Sequence, residues 1–140
     1  MPVKHLAVDP VTEPPDADAH DVAETLAEED VGSVVIEEGN RPVGIITDRD
    51  ITLAVAEDGD LSDTRAADIM SEDPVTISGD APDVELPDRM AEATVRRLPV
   101  VDDDGTLEGI VTLDDVVATA GEELEAIATV IEAQSPEYSP

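Results

Sequence analysis

Apolar positions along the chain keep two rhythms in turn. From Ala19 to Glu29, Val22, Leu26 and Glu29 fall on one side with Ala19 and Ala23 beside them, and this spacing predicts a helix. Asp18 is placed to cap that helix, with Asp21 three residues on as a variant of the capping box. Two β-branched runs follow, Ser33–Ile36 and Pro42–Thr47, joined by a Gly-containing turn, and they predict a hairpin. A second helix is expected from about Arg49 to Ala56, and a short extended piece, "DPVT", precedes the first. The order is strand, helix, strand, strand, helix.

The same order then returns. "DPVT" at Asp9–Thr12 recurs at Asp73–Thr76, Asp16-Ala17 at Asp80-Ala81, Ala27-Glu28 at Ala91-Glu92 and Val31 at Val95, all offset by 64. "GIITDRDI" (Gly44–Ile51) recurs as "GIVTLDDV" (Gly109–Val116) at an offset of 65, because the second hairpin turn is one residue longer. A fixed period with a single loop change marks an internal repeat. The second unit departs at "DVELPDRM", where Pro87 falls inside the expected helix. Proline is tolerated only in a helix's first turn, so this helix either starts late or is kinked there. The units are bounded as 1–60 and 61–121, with Glu57–Met70 as the link and an amphipathic helix and tail at 122–140. In that helix Leu124, Ile127, Ala128 and Ile131 form a narrow apolar stripe, expected to pack on its own chain or else on a second copy. "SPEYSP" is expected to fray.

Composition narrows the function. Seven basic against 36 acidic residues give a net charge of −29. Direct nucleic-acid binding requires a basic face that Lys4 and six Arg residues do not make. At 41% apolar content the chain can still bury a core, and self-repulsion would be screened in concentrated salt, so the reading is a folded protein of halophilic character. An acidic mimic of nucleic acid is the alternative. No run of about 18 apolar residues predicts a membrane span. No secretory leader is visible, and the absence of Cys excludes disulfides and thiolate chemistry. The expected location is cytoplasmic. With Phe and Trp absent and Tyr138 the only aromatic, the core must be Val, Ile, Leu, Ala and Met.

"VGSVVI…GIITDRDI", "VRRLPVVDDDG…GIVTLDDV" and "ADIMSEDPVT" together resemble a tandem pair of cystathionine-β-synthase-type (CBS) domains, the Bateman module, from about Lys4 to Ala120. The resemblance implies an α/β (α+β) fold of two β-α-β-β-α repeats packed about a pseudo-two-fold axis, with two clefts between them. It also implies binding of adenosine-containing ligands such as AMP, ATP or S-adenosylmethionine, and association as flat homodimers.

The repeated Thr-x-x-Asp has two readings. Thr47…Asp50 and Thr112…Asp115 at strand-to-helix junctions are themselves capping boxes. Such a junction also aims a hydroxyl, a carboxylate and backbone N–H groups in one direction, suited to a ribose and a phosphate. Under the resemblance Asp50 and Asp115 match the ribose-binding Asp. One pocket would join Val11, Thr12, Gly32 and Ser33 with Thr112, Asp114 and Asp115. The other would join Pro74, Val75, Thr76, Arg96 and Arg97 with Thr47, Arg49 and Asp50. Three of the seven basic residues would converge on the latter, whereas the former has Asp114 where the latter has Arg49. Either the arginines take a phosphate, or they pair with neighbours such as Asp48 and Glu92. The Arg-rich pocket is expected to take a nucleotide phosphate; the other is expected to be empty or to take an uncharged or cationic adenosyl group.

"DDDG" at Asp102–Gly105 lacks the spaced ligands of a calcium loop and reads as a hairpin turn. His5 and His20 are isolated and expected to be exposed. No metal site, no catalytic cofactor and no protected acid–base pair is apparent, so an enzyme ranks behind two other readings. The leading one is a stand-alone regulatory module sensing a small-molecule adenine nucleotide, dimeric and acting on an unidentified regulated protein. The other is an interaction and dimerisation scaffold that has lost its ligand. Sensing of ionic strength or of a divalent cation through the acidic surface is a further variant.

Overall fold

The computed structural model describes residues 1–57 and 59–134. The expected fraying of the last six residues lies outside them. The first unit consists of β1 (Thr12–Glu13), α1 (Ala19–Glu28), β2 (Ser33–Glu38), β3 (Arg41–Thr47) and α2 (Asp48–Glu57). A link follows with α3 (Ala66–Ile69) and β4 (Ser71–Glu72). The second unit consists of β5 (Ile77–Ser78), α4 (Leu86–Ala93), β6 (Arg97–Val101), β7 (Leu107–Thr112) and α5 (Leu113–Gln134). Each unit carries its own sheet, in the order β1-β2-β3-β4 and β5-β6-β7, with the outer pair parallel and the hairpin antiparallel. This is the two-repeat α/β architecture.

Local chemistry accounts for the elements. Asp18 Oδ1 accepts from Asp21 N at 2.8 Å and caps α1. Gly39 and Asn40 both take positive φ, 60° and 64°, as a tight two-residue hairpin turn requires. Asp102 Oδ1 accepts from the amides of Asp104 and Thr106, both at 2.9 Å, so "DDDG" is a turn closed by its own side chain. Pro87 sits in the first turn of α4, which begins at Leu86 after a single 3-10 turn over Asp83–Glu85, and thus removes no helical hydrogen bond. The late start, rather than a kink, is what occurs.

Helices cover one face of each sheet. Val22 and Leu26 of α1 pack with Val34, Ile36 and Ile46 of the hairpin, and Leu86 and Met90 of α4 pack with Leu98, Val100 and Val111. Alternation turns Val35, Pro99 and Ile110, also buried, to the opposite faces, where the two sheets meet. The hairpin tips touch there as well, with Leu107 N donating to Asn40 O at 2.8 Å.

Each core is completed by a segment from elsewhere in the chain. Val3 is fully buried among the second unit's core residues, and Val8 and Ile110 exchange backbone bonds of 3.0 and 2.9 Å. Lys4 Nζ donates to Asp80 Oδ1 at 2.8 Å, which raises the lysine's pKa above its ordinary value. Reciprocally, Ala66 is buried in the first unit's core and β4 pairs with β3 (Gly44↔Glu72, Ile45↔Ser71). The arms explain why the repeated phrase opens on glycine. A Cβ at Gly109 would lie 2.9 Å from both Ala7 Cβ and Val8 O, and one at Gly44 would strike the Met70 side chain.

The C-terminal helix differs from expectation. α5 runs without a break through Gly121, so the helix expected from 122 is a continuation of the second unit's last helix. Its apolar stripe does not pack on its own chain: Leu124 is 66% exposed, and Val117, Ile127, Val130 and Ile131 are also exposed.

The surface carries few ion pairs among the described residues: Met1–Asp83, Lys4–Asp80 and His20–Glu24. Most carboxylates among the described residues therefore have no ion-pair partner. Raising KCl shortens the Debye length from about 8 Å at 0.15 M to about 3 Å at 1 M. The thermal unfolding midpoint, followed by circular dichroism, should rise over that range. Gly109→Val should destabilise by about 1–3 kcal/mol through overpacking against the arm. Gly121→Ala, where nothing lies within 4 Å of an added Cβ, should stabilise by about 0.5–1 kcal/mol. Urea titrations in concentrated salt would measure both.

Candidate functional site

β3 and β7 each end on a threonine that starts the following helix, and the two junctions share one geometry. Asp50 Oδ2 accepts from Thr47 N at 2.8 Å and Thr47 Oγ1 at 3.1 Å; Asp115 Oδ2 accepts from Thr112 N at 2.9 Å and Thr112 Oγ1 at 3.1 Å. The helix amides answer, Asp50 N donating to Thr47 Oγ1 at 3.3 Å and Asp115 N to Thr112 Oγ1 at 3.4 Å. Each Thr-x-x-Asp is therefore a formed capping box. Only Oδ2 of each carboxylate is engaged, and Oδ1 of each has no protein partner among the described residues.

Two clefts open along the seam, each walled by both units. One, of about 230 Å³, brings Thr47 and Ser71 together with Pro74, Val75, Arg96 and Arg97. The other, of about 330 Å³, brings Val11, Gly32 and Ser33 together with Arg97, Thr112 and Asp114. Both stand near the lower end of the roughly 300–1,000 Å³ typical of small-molecule sites. Thr12, Thr76, Arg49, Asp50 and Asp115 lie outside both linings. Thr12 is held on β1 opposite Val35, and Thr76 O accepts from Arg89 Nη1 at 3.2 Å. Arg49 stands exposed on the first turn of α2.

Several features of the linings were not read from the sequence, among them Val95 in the smaller cleft and Val8, Asp9, Val31 and Val35 in the larger. Ile45 and Ile110 line the clefts two residues before Thr47 and Thr112. Period-two alternation puts each pair on one strand face and could have found them. Ser71 enters on β4, whose two residues carry no strand signal. Arg97 borders both clefts rather than one, and nothing in the residue pattern indicates that reach.

The electrostatics follow from these positions. Among the described residues, neither Asp48 nor Glu92 pairs with an arginine, and no carboxylate lies within 4.0 Å of Arg49, Arg96 or Arg97. The Nε atom of Arg97 is buried without a hydrogen-bond partner. Asp114, exposed, is among the residues lining the larger cleft and opposes anions there. His5 and His20 are both exposed; His20 Nδ1 lies 3.2 Å from Glu24 Oε1 and is not isolated. His20 also clusters with Asp18 and Asp21, but Asp18 Oδ1 is taken up in capping α1. No helix among the described residues is long and apolar enough to cross a membrane.

Comparison with known proteins fits this geometry. The CBS domain model matches residues 3–57 and 66–122. An uncharacterised protein of Methanopyrus kandleri is 40% identical over 126 residues, covering 84% of this chain; the chain spans 64% of that relative's length. A CBS domain protein of Pyrobaculum aerophilum, solved in complex with AMP, superposes with a TM-score of 0.75 at 30% identity, covering 82% of this chain and 89% of that one. A CBS domain pair solved with 5′-methylthioadenosine and S-adenosyl-L-methionine superposes with a TM-score of 0.78 at 27% identity, covering 88% and 98%.

Because each threonine takes part in its capping box through both its hydroxyl and its amide, Thr47→Ala and Thr112→Ala should each lower stability by about 1 kcal/mol. Chemical denaturation of the ligand-free protein checks this, and Thr52→Ala, an exposed helix position on α2, should change it little.

Proposed function

The chain belongs to the CBS domain family, and on that premise we propose that it is a regulatory module that senses adenosine-containing ligands in the two clefts between its repeats. The observation that carries this reading is the pair of seam clefts, each walled by both repeats and bordered by the Thr of a Thr-x-x-Asp. The AMP and S-adenosyl-L-methionine complexes of similar proteins support the ligand class. In the smaller cleft, Val75 and Ile45 offer apolar surface for a base, and Arg96 and Arg97 offer charge to a phosphate. Asp50 and Asp115 would serve a ribose through Oδ1, the oxygen that capping leaves over; reaching it requires the ligand to extend past the present cleft linings. The larger cleft, lined in part by Asp114, suits an uncharged or cationic adenosyl group better than a polyphosphate. Binding without catalysis is the role proposed.

Association as a homodimer is proposed with it. Val117, Leu124 and Ile131 are spaced by seven along α5, with Ile127 between them, and all are exposed. A like stripe from a second copy would cover that seam in the manner of a coiled coil. The same stripe is the observation that favours the second reading, a dimerisation scaffold without a ligand. A ligand that changes how the copies, or a regulated partner, pack would complete a regulatory role.

Isothermal titration with AMP, ATP, S-adenosylmethionine and adenosine in concentrated KCl tests the reading. Arg96→Gln should weaken AMP about tenfold, by loss of a charge-assisted hydrogen bond of roughly 1.5 kcal/mol, and should weaken adenosine little. If none of the four ligands binds while sedimentation still shows a dimer, the scaffold takes the place of the sensor.

A further inference from the structure

We propose that Arg97 is one phosphate-binding group shared by both clefts, so that the chain holds one phosphate-bearing nucleotide tightly and a second only weakly. The inference rests on the adenosyl reading above and adds a rule for how the two clefts are filled.

Arg97 opens β6 at the seam, opposite Thr112 in the ladder. Its side chain borders the smaller cleft, the larger cleft and a narrow gap of about 90 Å³ beside Arg96, Thr112 and Asp114. It reaches the larger cleft over Gly32, where a Cβ would lie 3.6 Å from Nη2. Gly32 and the Arg97 guanidinium thus lie in contact at the edge of that cleft.

Internal symmetry supplies no second guanidinium. The repeat counterpart of Arg97 is Ser33, offset by 64, and the ladder confirms the equivalence, since Ser33 faces Thr47 as Arg97 faces Thr112. Two clefts thus share one half-buried cation, and only the smaller has the exposed Arg96 as well.

Arg97 is also unsatisfied. No carboxylate approaches within 4.0 Å among the described residues, and its buried Nε has no partner. A buried donor left without an acceptor is costly, and the cost is relieved when an acceptor arrives. In a chain of net charge −29 an unpaired guanidinium is the position that an anion seeks. Its donors form a planar fork that meets one phosphate bidentately. Once the fork is turned into one cleft, a phosphate in the other meets no cation from Arg97, and in the larger cleft it also meets Asp114.

The test is calorimetric titration of AMP and of adenosine into the wild type, Arg97→Gln and Arg97→Lys in about 1 M KCl, where surface charges are screened. AMP should bind the wild type with one tight site per chain and any second site at least tenfold weaker, whereas adenosine should show no such split. Arg97→Gln should lower the tight AMP affinity at least tenfold and bring the two clefts together; Arg97→Lys, with charge but no fork, should fall between. Circular dichroism melts establish that each variant folds, and should Arg97→Gln not fold, the wild-type and Arg97→Lys titrations decide. Two equal tight AMP sites in the wild type, or an AMP isotherm unmoved by both substitutions, would overturn the sharing and leave the adenosyl reading standing. No binding of AMP or adenosine to the wild type would remove that reading and this inference together.

Discussion

The seam on which both clefts depend is held by a reciprocal loan of backbone. Residues Val3–Val8 complete the second repeat's core and sheet edge, and Thr64–Glu72 complete those of the first. Each loan needs a strand face without a side chain, which Gly44 and Gly109 provide. The repeated phrase is therefore two devices in series. Its glycine seats an arm that binds repeat to repeat, and its Thr-x-x-Asp starts the helix at the cleft edge. With the arms displaced, the sheets would lose the alignment that gives each cleft a wall from either side.

Much of this architecture was legible in the residues. The repeat, the hairpins with their glycine turns and the Asp18 cap all rest on local rules that packing did not override. The arms were not legible, because a two-residue ladder such as β4 has no periodicity to detect. Nor was the unbroken course of α5, since a glycine such as Gly121 lowers helix propensity without forbidding the helix. At the site, the sequence assembled two groups of residues, and the structure brings the apolar and arginine members to the clefts more fully than the acids. Asp50 and Asp115 point one oxygen back into their own helices, a preference that spacing leaves undecided. The reach of Arg97 is a tertiary fact: it depends on a long side chain meeting a glycine 65 positions away in sequence.

Charge and packing pull in different directions. The cores are built from small aliphatic side chains, with Ile36, Ile46, Ile77, Leu86 and Leu98 as the largest fully buried. Such cores fill closely between sheet and helices. They work against a surface of unpaired carboxylates that favours expansion wherever counterions are scarce. The arginines stand apart from this surface, for Arg96 and Arg97 border the clefts rather than neutralise neighbours. Positive charge is scarce here, and part of it is kept at the seam.

The crossed arms also dictate an order of assembly on the ribosome. The first repeat has every strand it needs once Glu72 has emerged, whereas Val8 must wait for Ile110 of β7, and Val3 for the core residues that β6 and β7 supply. These residues are synthesised well before the partners that lock them, and Val3, fully buried at the end, spends much of translation exposed. A nascent chain of this design passes through a stage with one finished half and an unpaired arm, the stage most open to proteases and to exchange of arms between neighbouring chains.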